Sequence, residues 1–309
     1  MGVYIVRRLL WVPVLLMIVT LVTFSLGLYG PGDPVEVMLG QNYNAEVAER
    51  IRHQRGLDRP FYQQYLTYVW GLLQGDFGES FKYQGQSVGK LIGSKIWISS
   101  QLGLVAMILT IGLGVPLGIL AALQQGTPRD SLIVSSTIFL LALPVFITIP
   151  VMLLVLVLNL HWLPSSGWGG IFSLHMIIPA LAMGIPGVAV ITRLMRASTL
   201  DVLGQDFITT ARSKGLTEFV VQYRHVLRNA LIPIITILGF AVADLVGGAF
   251  IVETMYGIPG IGRLAVDSIF ARDYPVIMAL TVIIATAFVL GNLIADILYV
   301  IVDPRIRYG

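Results

Sequence analysis

The sequence predicts an all-α membrane protein with six crossing helices and both termini cytoplasmic. Three observations predict it. Charge is scarce: 12% of the 309 residues are Asp, Glu, Lys or Arg, against roughly 25% in a soluble domain. The apolar residues gather in charge-free runs long enough to span a hydrocarbon core of about 30 Å. Lys and Arg crowd onto alternate loops, as topology demands. With 56% of residues apolar and a mean hydropathy of +0.83, too little polar surface remains to coat a soluble enzyme, a nucleic-acid binder or a disordered chain. The absence of Cys removes disulfides, thiolate nucleophiles and Cys-ligated metals.

The runs place the spans in order. Leu9–Tyr29 follows Arg7 and Arg8; it exceeds the apolar core of about 7–15 residues in a cleaved signal peptide and reads as a retained anchor. The second span lies near Ile98–Leu123. Ser131–Thr192 is uncharged throughout and holds two crossings, Leu132–Leu158 and Met176–Leu194, divided by the polar turn region Asn159–His175. The fifth covers Ala230–Val252, interrupted by Asp244, and the sixth Val276–Val302, interrupted by Asp296. With the N-terminus inside, eleven Lys and Arg face the cytoplasm and only Arg263 and Arg272 occupy the short outer loops. The long first loop has seven basic and seven acidic residues, and segments beyond about 60 residues translocate largely regardless of charge. The net charge of +3 thus reflects topology rather than nucleic-acid binding.

The chain divides into a first membrane helix (1–30), an extracytoplasmic loop with helical segments (31–95) and a five-helix core (96–309). In the outer loop Phe61, Tyr65, Tyr68, Val69 and Leu72 recur at helical spacing, fitting a helix along the membrane surface, a cap on the outer mouth or an interfacial aromatic belt. The inside loop 197–229 carries Leu200, Leu203, Phe207, Ile208 and Ala211 as one amphipathic stripe. Gly215 breaks it, and Val220, Tyr223, Val226, Leu227 and Ala230 form a second. A DNA-reading helix-turn-helix is excluded by the membrane flanks. A helix lying on the membrane and a docking knob for a cytoplasmic partner are the remaining readings; the apolar and cationic side chains of a hinged pair favour the knob.

Enzyme chemistry finds little support. His53, His161, His175 and His225 are scattered. Gly85-Gln86-Ser87-Val88-Gly89-Lys90-Leu91 has three residues between its glycines and no Ser or Thr after Lys, so it departs from a phosphate-binding loop. Asp244 and Asp296 raise an intramembrane aspartyl protease, but neither lies in a GxGD setting.

At the inside loop the sequence becomes specific. Asp206-Phe207-Ile208-Thr209-Thr210-Ala211-Arg212-Ser213-Lys214-Gly215-Leu216, followed by His225-Val226-Leu227-Arg228-Asn229-Ala230-Leu231-Ile232-Pro233, resembles the EAA loop of ABC importer permeases of the dipeptide/oligopeptide/nickel branch. Pro31-Gly32-Asp33-Pro34, Gly56-Leu57-Asp58-Arg59-Pro60, Gly75-Asp76-Phe77-Gly78, Pro259-Gly260-Ile261-Gly262-Arg263, Arg272-Asp273-Tyr274-Pro275 and Asp303-Pro304-Arg305-Ile306-Arg307 extend the resemblance along the chain. Thr209-Thr210-Ala211 stands where the general pattern has Glu-Ala-Ala. The resemblance implies a type I ABC importer permease in the inner membrane of a prokaryote. Its partners would be a second homologous permease, two cytoplasmic ABC ATPases and an extracytoplasmic solute-binding protein. The chain would have no cofactor of its own, ATP and Mg being held by the ATPases. The cargo would be a peptide or similar small solute, with dipeptide, oligopeptide, nickel, glutathione and oligosaccharide all left open.

On that reading Asp206, Phe207, Thr210, Ala211, Arg212, Lys214, Gly215 and Leu216 couple the bundle to an ATPase. Spans four and five, with Gly184, Pro186, Gly187, Gly247 and Gly248, would rock to exchange access. Asp244 is embedded and must face a cavity, the bundle or a partner rather than lipid; it lines the pathway or pairs across a permease interface. Glu253, Pro259 and Gly260 mark an external gate lip or receptor contact. A secondary transporter or channel using Asp244 as an ion or proton site is the other class of function. It would run without an ATPase.

Overall fold

The computed structural model describes residues 2–30, 33–39 and 43–302. The motif residues Pro31, Gly32 and Asp303–Arg307 lie outside the described residues, and so do the side chains of Asp244 and Asp296. Every regular element described is a helix, and β pairing is confined, among the described residues, to an isolated bridge between Glu79 and Ser87. The chain forms two compact units, residues 1–99, 246–250 and 259–289, and residues 100–245, 251–258 and 290–309.

In the first unit, α1 (Gly2–Tyr29) is followed by α2 (Pro34–Leu39), α3 (Ala45–Gln54) and α4 (Phe61–Leu73). The aromatic stripe of α4 packs on α1. Phe24 meets Phe61 and Tyr65 edge-on at 5.5 and 5.6 Å and stacks on Tyr68 at 5.2 Å. The Tyr65 hydroxyl donates to the Met17 carbonyl at 3.2 Å and lies 3.0 Å from the Thr20 hydroxyl. Helix α5 (Val88–Leu123) starts ten residues before the span expected at Ile98, because Lys90 and Lys95 are good helix formers that mark the edge of the lipid run and not the end of the helix. Its first turns join α14 (Ile261–Phe270) and α15 (Tyr274–Val302) in a core of Val88, Ile92, Ile261, Leu264, Val276 and Leu280. Beside that core the fully buried Asp273 accepts from the Ser80 hydroxyl and from the N–H groups of Phe81 and Lys82, at 3.0 and 3.3 Å for the latter two. The strap 79–87 is thereby tied to the head of α15.

In the second unit, α6 (Pro128–Ala142) and α7 (Val145–Met152), which continues as a π-helical stretch Leu153–Asn159, meet at 99°. The span expected near Leu132–Leu158 falls on this bent pair. Pro144 sets the bend: the residue before a proline avoids helical backbone, and Leu143 sits at φ −85°, ψ 112°. Helix α8 (Ile177–Leu203) lies against α5 at closely spaced small residues. A Cβ added to Gly118 would stand 2.6 Å from both the Met195 Cβ and the Thr192 carbonyl oxygen, so only glycine permits that approach.

Among the described residues four helices are long and apolar enough to cross a membrane, at Leu10–Tyr29, Val88–Leu123, Leu174–Leu203 and Tyr274–Ile294, and the bent α6–α7 pair makes a fifth if taken as one span. The run Ala230–Val252, expected as a single crossing, is divided. Helix α12 (Ile232–Gly247) is 16 residues long, about 24 Å. Gly248 turns the chain at φ +74° and Phe250 opens α13 (Phe250–Tyr256). Gly118→Ala should destabilise the protein by roughly 1–3 kcal/mol through overpacking, read as a lowered melting temperature in detergent; an unchanged melting temperature would mean the α5–α8 seam is looser than described.

Candidate coupling segment

Residues 204–230 form an ordered hairpin of short helices. Helix α8 ends at Leu203, and α9 (Asp206–Ser213) begins after the turn at Gly204 and Gln205. The stripe read as one helix from Leu200 to Ala211 therefore spans two. Asp206 stands in the first turn of α9 and Arg212 in the last, each matching the helix dipole. The helix closes as a Schellman motif: the Leu216 N–H donates to the Ala211 carbonyl at 3.4 Å and the Gly215 N–H to the Arg212 carbonyl at 2.9 Å. Gly215 provides the left-handed backbone this needs, at φ +75°. The chain then forms α10 (Glu218–Val220), a π-helical turn Val221–Leu227 and α11 (Arg228–Ala230) before α12.

Ile208, Ala211, Val221 and Val226 make a small core of their own, packed against Val202 and Leu203 at the foot of α8. Of the eight residues assigned to coupling, Ala211 faces this core. Asp206, Phe207, Thr210, Arg212, Lys214, Gly215 and Leu216 are exposed. Ala211 thus positions the knob and the other seven form its face. Arg212 grips Glu218 across the turn, Nε to Oε1 at 2.8 Å and a terminal nitrogen to Oε2 at 3.3 Å. The guanidinium holds the Glu218 carboxyl below its ordinary value of 4.5. The contribution of the pair is therefore present above that value and is lost only as pH falls through the lowered one; both partners are exposed, so it is small and screened by salt.

Sequence reasoning missed Glu218, because six residues across a glycine turn is not a helical spacing. Tyr223, read as part of the second apolar stripe, is instead displayed beside Phe219, which sequence reasoning missed; the rings stack at 6.1 Å and are 68% and 76% exposed. Those rings help line a cavity of about 170 Å³ with Ile119, Leu123 and Thr199. A larger cavity of the same unit, about 290 Å³, is lined by Gly103, Met107, Thr110, Met183, Gly187 and Ala241 from α5, α8 and α12. Thr110 donates to the Gly184 carbonyl there at 3.2 Å.

The remaining assigned residues with described side chains lie on α12 and α13, between the two and just after α13. Gly247 closes α12 with open space where a side chain would project, and Gly248 follows it. Glu253 is fully buried on α13, and its carbonyl accepts from the Ile258 N–H at 2.9 Å. Pro259 is half-buried and Gly260 buried. Nearby in sequence, the Tyr256 hydroxyl donates to the Pro164 carbonyl at 2.7 Å.

Comparison with known proteins bears on this arrangement. The model of a family described as binding-protein-dependent transport system inner membrane component matches residues 114–308, and the model of its N-terminal region matches residues 1–93. The chain belongs to this family. Among curated members of such transport systems, it is 42% identical to the oligopeptide transport system permease protein AppB of Bacillus subtilis, over all of both chains. It is 40% identical to the oligopeptide permease protein OppB of Haemophilus influenzae, over 99% of each chain. The dipeptide permease protein DppB of Escherichia coli is 37% identical, over 99% of this chain and 98% of its own. A solved inward-facing structure of the MetNI methionine ABC transporter aligns with a TM-score of 0.52 at 16% identity, covering 67% of this chain and 96% of that one; at that identity it speaks for the fold alone. The transport permease resemblance drawn from the loop motifs is thereby established, and the chain is a transport component rather than an enzyme.

Gly215→Ala in this permease should cost about 1 kcal/mol for the forced left-handed residue. Hydrogen exchange of the α9 amides should quicken by about fivefold; unaltered exchange would show that the Schellman closure does not hold the knob.

Proposed function

We propose that this permease forms half of a translocation pathway for oligopeptides or dipeptides and is driven through α9 by a cytoplasmic ATPase. The cargo class rests on the names of its relatives, which are oligopeptide and dipeptide permease proteins. The observation that carries the coupling role is the Schellman-closed α9 knob, with seven exposed residues over an apolar core seated on the foot of α8.

The mechanics follow from rigidity. ATP and Mg bind the ATPases, and nucleotide binding draws the pair together. Their grip on Asp206, Phe207, Thr210, Arg212, Lys214 and Leu216 pulls the knob, and α8 and α12 follow because both ends of the loop enter one core. A second homologous permease supplies the other half of the pathway, and an external solute-binding protein delivers the peptide to it. The 290 Å³ cavity suits varied cargo, since methionine and small residues adapt to many shapes. Asp244, Gly247 and Gly248 belong to the pathway or its permease interface. Glu253, Pro259 and Gly260 shape the outer gate.

In this reading the membrane is crossed six times, α12 and α13 together completing the fifth crossing. Both termini are cytoplasmic, lipid surrounds the bundle, and the whole sits in a prokaryotic inner membrane. The 31–95 segment, between the first helix (1–30) and the core (96–309), then faces outward.

Cysteines placed at Phe207 and Lys214 test the coupling role in the assembled importer, reconstituted with binding protein and labelled peptide. Efficient cross-linking to the ATPase, together with uptake that requires both ATP and binding protein, is the expected result. A knob that stays uncross-linked while peptide accumulates overturns it.

A further inference from the structure

Close to the knob, an ion pair joins α8 to α6 where the two helices pack together. Arg196 reaches Asp130 with both edges of its fork, Nε to Oδ1 at 2.7 Å and a terminal nitrogen to Oδ2 at 2.8 Å. The Gly126 N–H adds a third donor to Oδ2 at 3.0 Å. Thr127 caps α6, its hydroxyl oxygen accepting from the Asp130 N–H at 3.4 Å. The Asp130 side chain is 7% exposed and that of Arg196 26%. Arg196 lies six residues before Val202, which packs on the core of the knob, about 9 Å along the helix.

A buried ion pair is weak evidence for stability, because desolvation offsets much of the attraction and an apolar pair holds helices together as well. What the fork provides is a unique geometry. Two parallel N–H···O bonds fix distance and orientation together, whereas apolar flanks can slide. Helix α6 is also the member of the second unit that ends in the 99° bend. Any displacement of its head is therefore handed to a segment pointing in another direction.

We infer that Asp130 and Arg196 are positioning residues that yoke α6 to α8, so that a pull on the knob moves the bent α6–α7 pair together with α8 and is converted into a change of access. The inference rests on the coupling role proposed above for α9.

The test uses the full importer in proteoliposomes, with its ATPases, binding protein and labelled peptide. Asp130→Asn, Arg196→Lys and the exchanged pair Asp130→Arg with Arg196→Asp are compared with the unaltered chain. Peptide moved per ATP hydrolysed should fall about tenfold in each single variant, within the usual range for a coupling energy between sites. ATP hydrolysis and cross-linking of α9 to the ATPase should persist. The exchanged pair should recover part of the lost ratio, since it restores the fork but leaves the Gly126 N–H without its carboxylate acceptor; a fallen ratio at undiminished ATP hydrolysis and cross-linking is the readout that a merely structural role would not give. A ratio within twofold of the unaltered chain, with cross-linking intact, overturns the yoke and leaves the coupling role of α9 standing. Absence of α9 cross-linking in the unaltered, active importer removes the coupling role itself. If Asp130→Asn does not assemble, Arg196→Lys decides, since it keeps the charge and loses only the fork; failure of both to assemble assigns the pair to folding and overturns the proposal.

Discussion

At four glycines along the line where α5 and α8 meet an added carbon would press on the neighbouring helix, and the placement of the knob depends on that seam. Added Cβ atoms on Gly114, Gly118, Gly184 and Gly187 would all come within 2.8 Å of the neighbouring helix. Lipid offers little drive for apolar side chains to leave it, so membrane helices associate through such close contact and not through burial alone. The seam brings Ile191 and Met195 of α8 onto Ala230 and Ile234, with Val115 and Ile119 of α5 packed around them. The helix that leaves the membrane core and the one that returns to it are therefore gripped by the same cluster. The excursion 197–229 is a hairpin with a fixed base, and in the proposed scheme a fixed base is what lets a short helix act as a handle.

The parts of this design visible in the sequence are those with a local cause. Alternating apolar positions reveal the inward face of α9, Gly215 announces its end, and the aromatic spacing of Phe61, Tyr65 and Tyr68 marks α4. Breaks that preserve phase stay hidden. Leu200, Leu203 and Phe207 keep helical spacing across Gly204, so periodicity cannot see where α8 stops. Pro144 and Gly248 stand inside charge-free runs, and charge-free length measures lipid compatibility and not straightness. Partnerships between distant residues are the least legible. Nothing near Asp130 names Arg196, 66 positions away, and nothing near Ser80 names Asp273.

In the coupling scheme proposed above the permease receives work mechanically, and the packing of the second unit suits that. The α9 core, the foot of α8 and the cluster around Met195 form an unbroken series of packed side chains. Close-packed interiors transmit strain because they cannot absorb it by compressing. Membership of the transport family and the shape of the loop thus bear on the same property by different routes, one by descent and the other by packing.

The strap beside α15 has a practical consequence of a different kind. One carboxylate, Asp273, takes up the backbone donors of residues 81 and 82 as an adjoining strand would in a sheet. The exposed tip at Gln84, Gly85 and Gln86 lies beyond that anchorage. Foreign sequence spliced between Gln84 and Gly85 would leave the fastening intact, making the tip a natural seat for an epitope or a fluorophore.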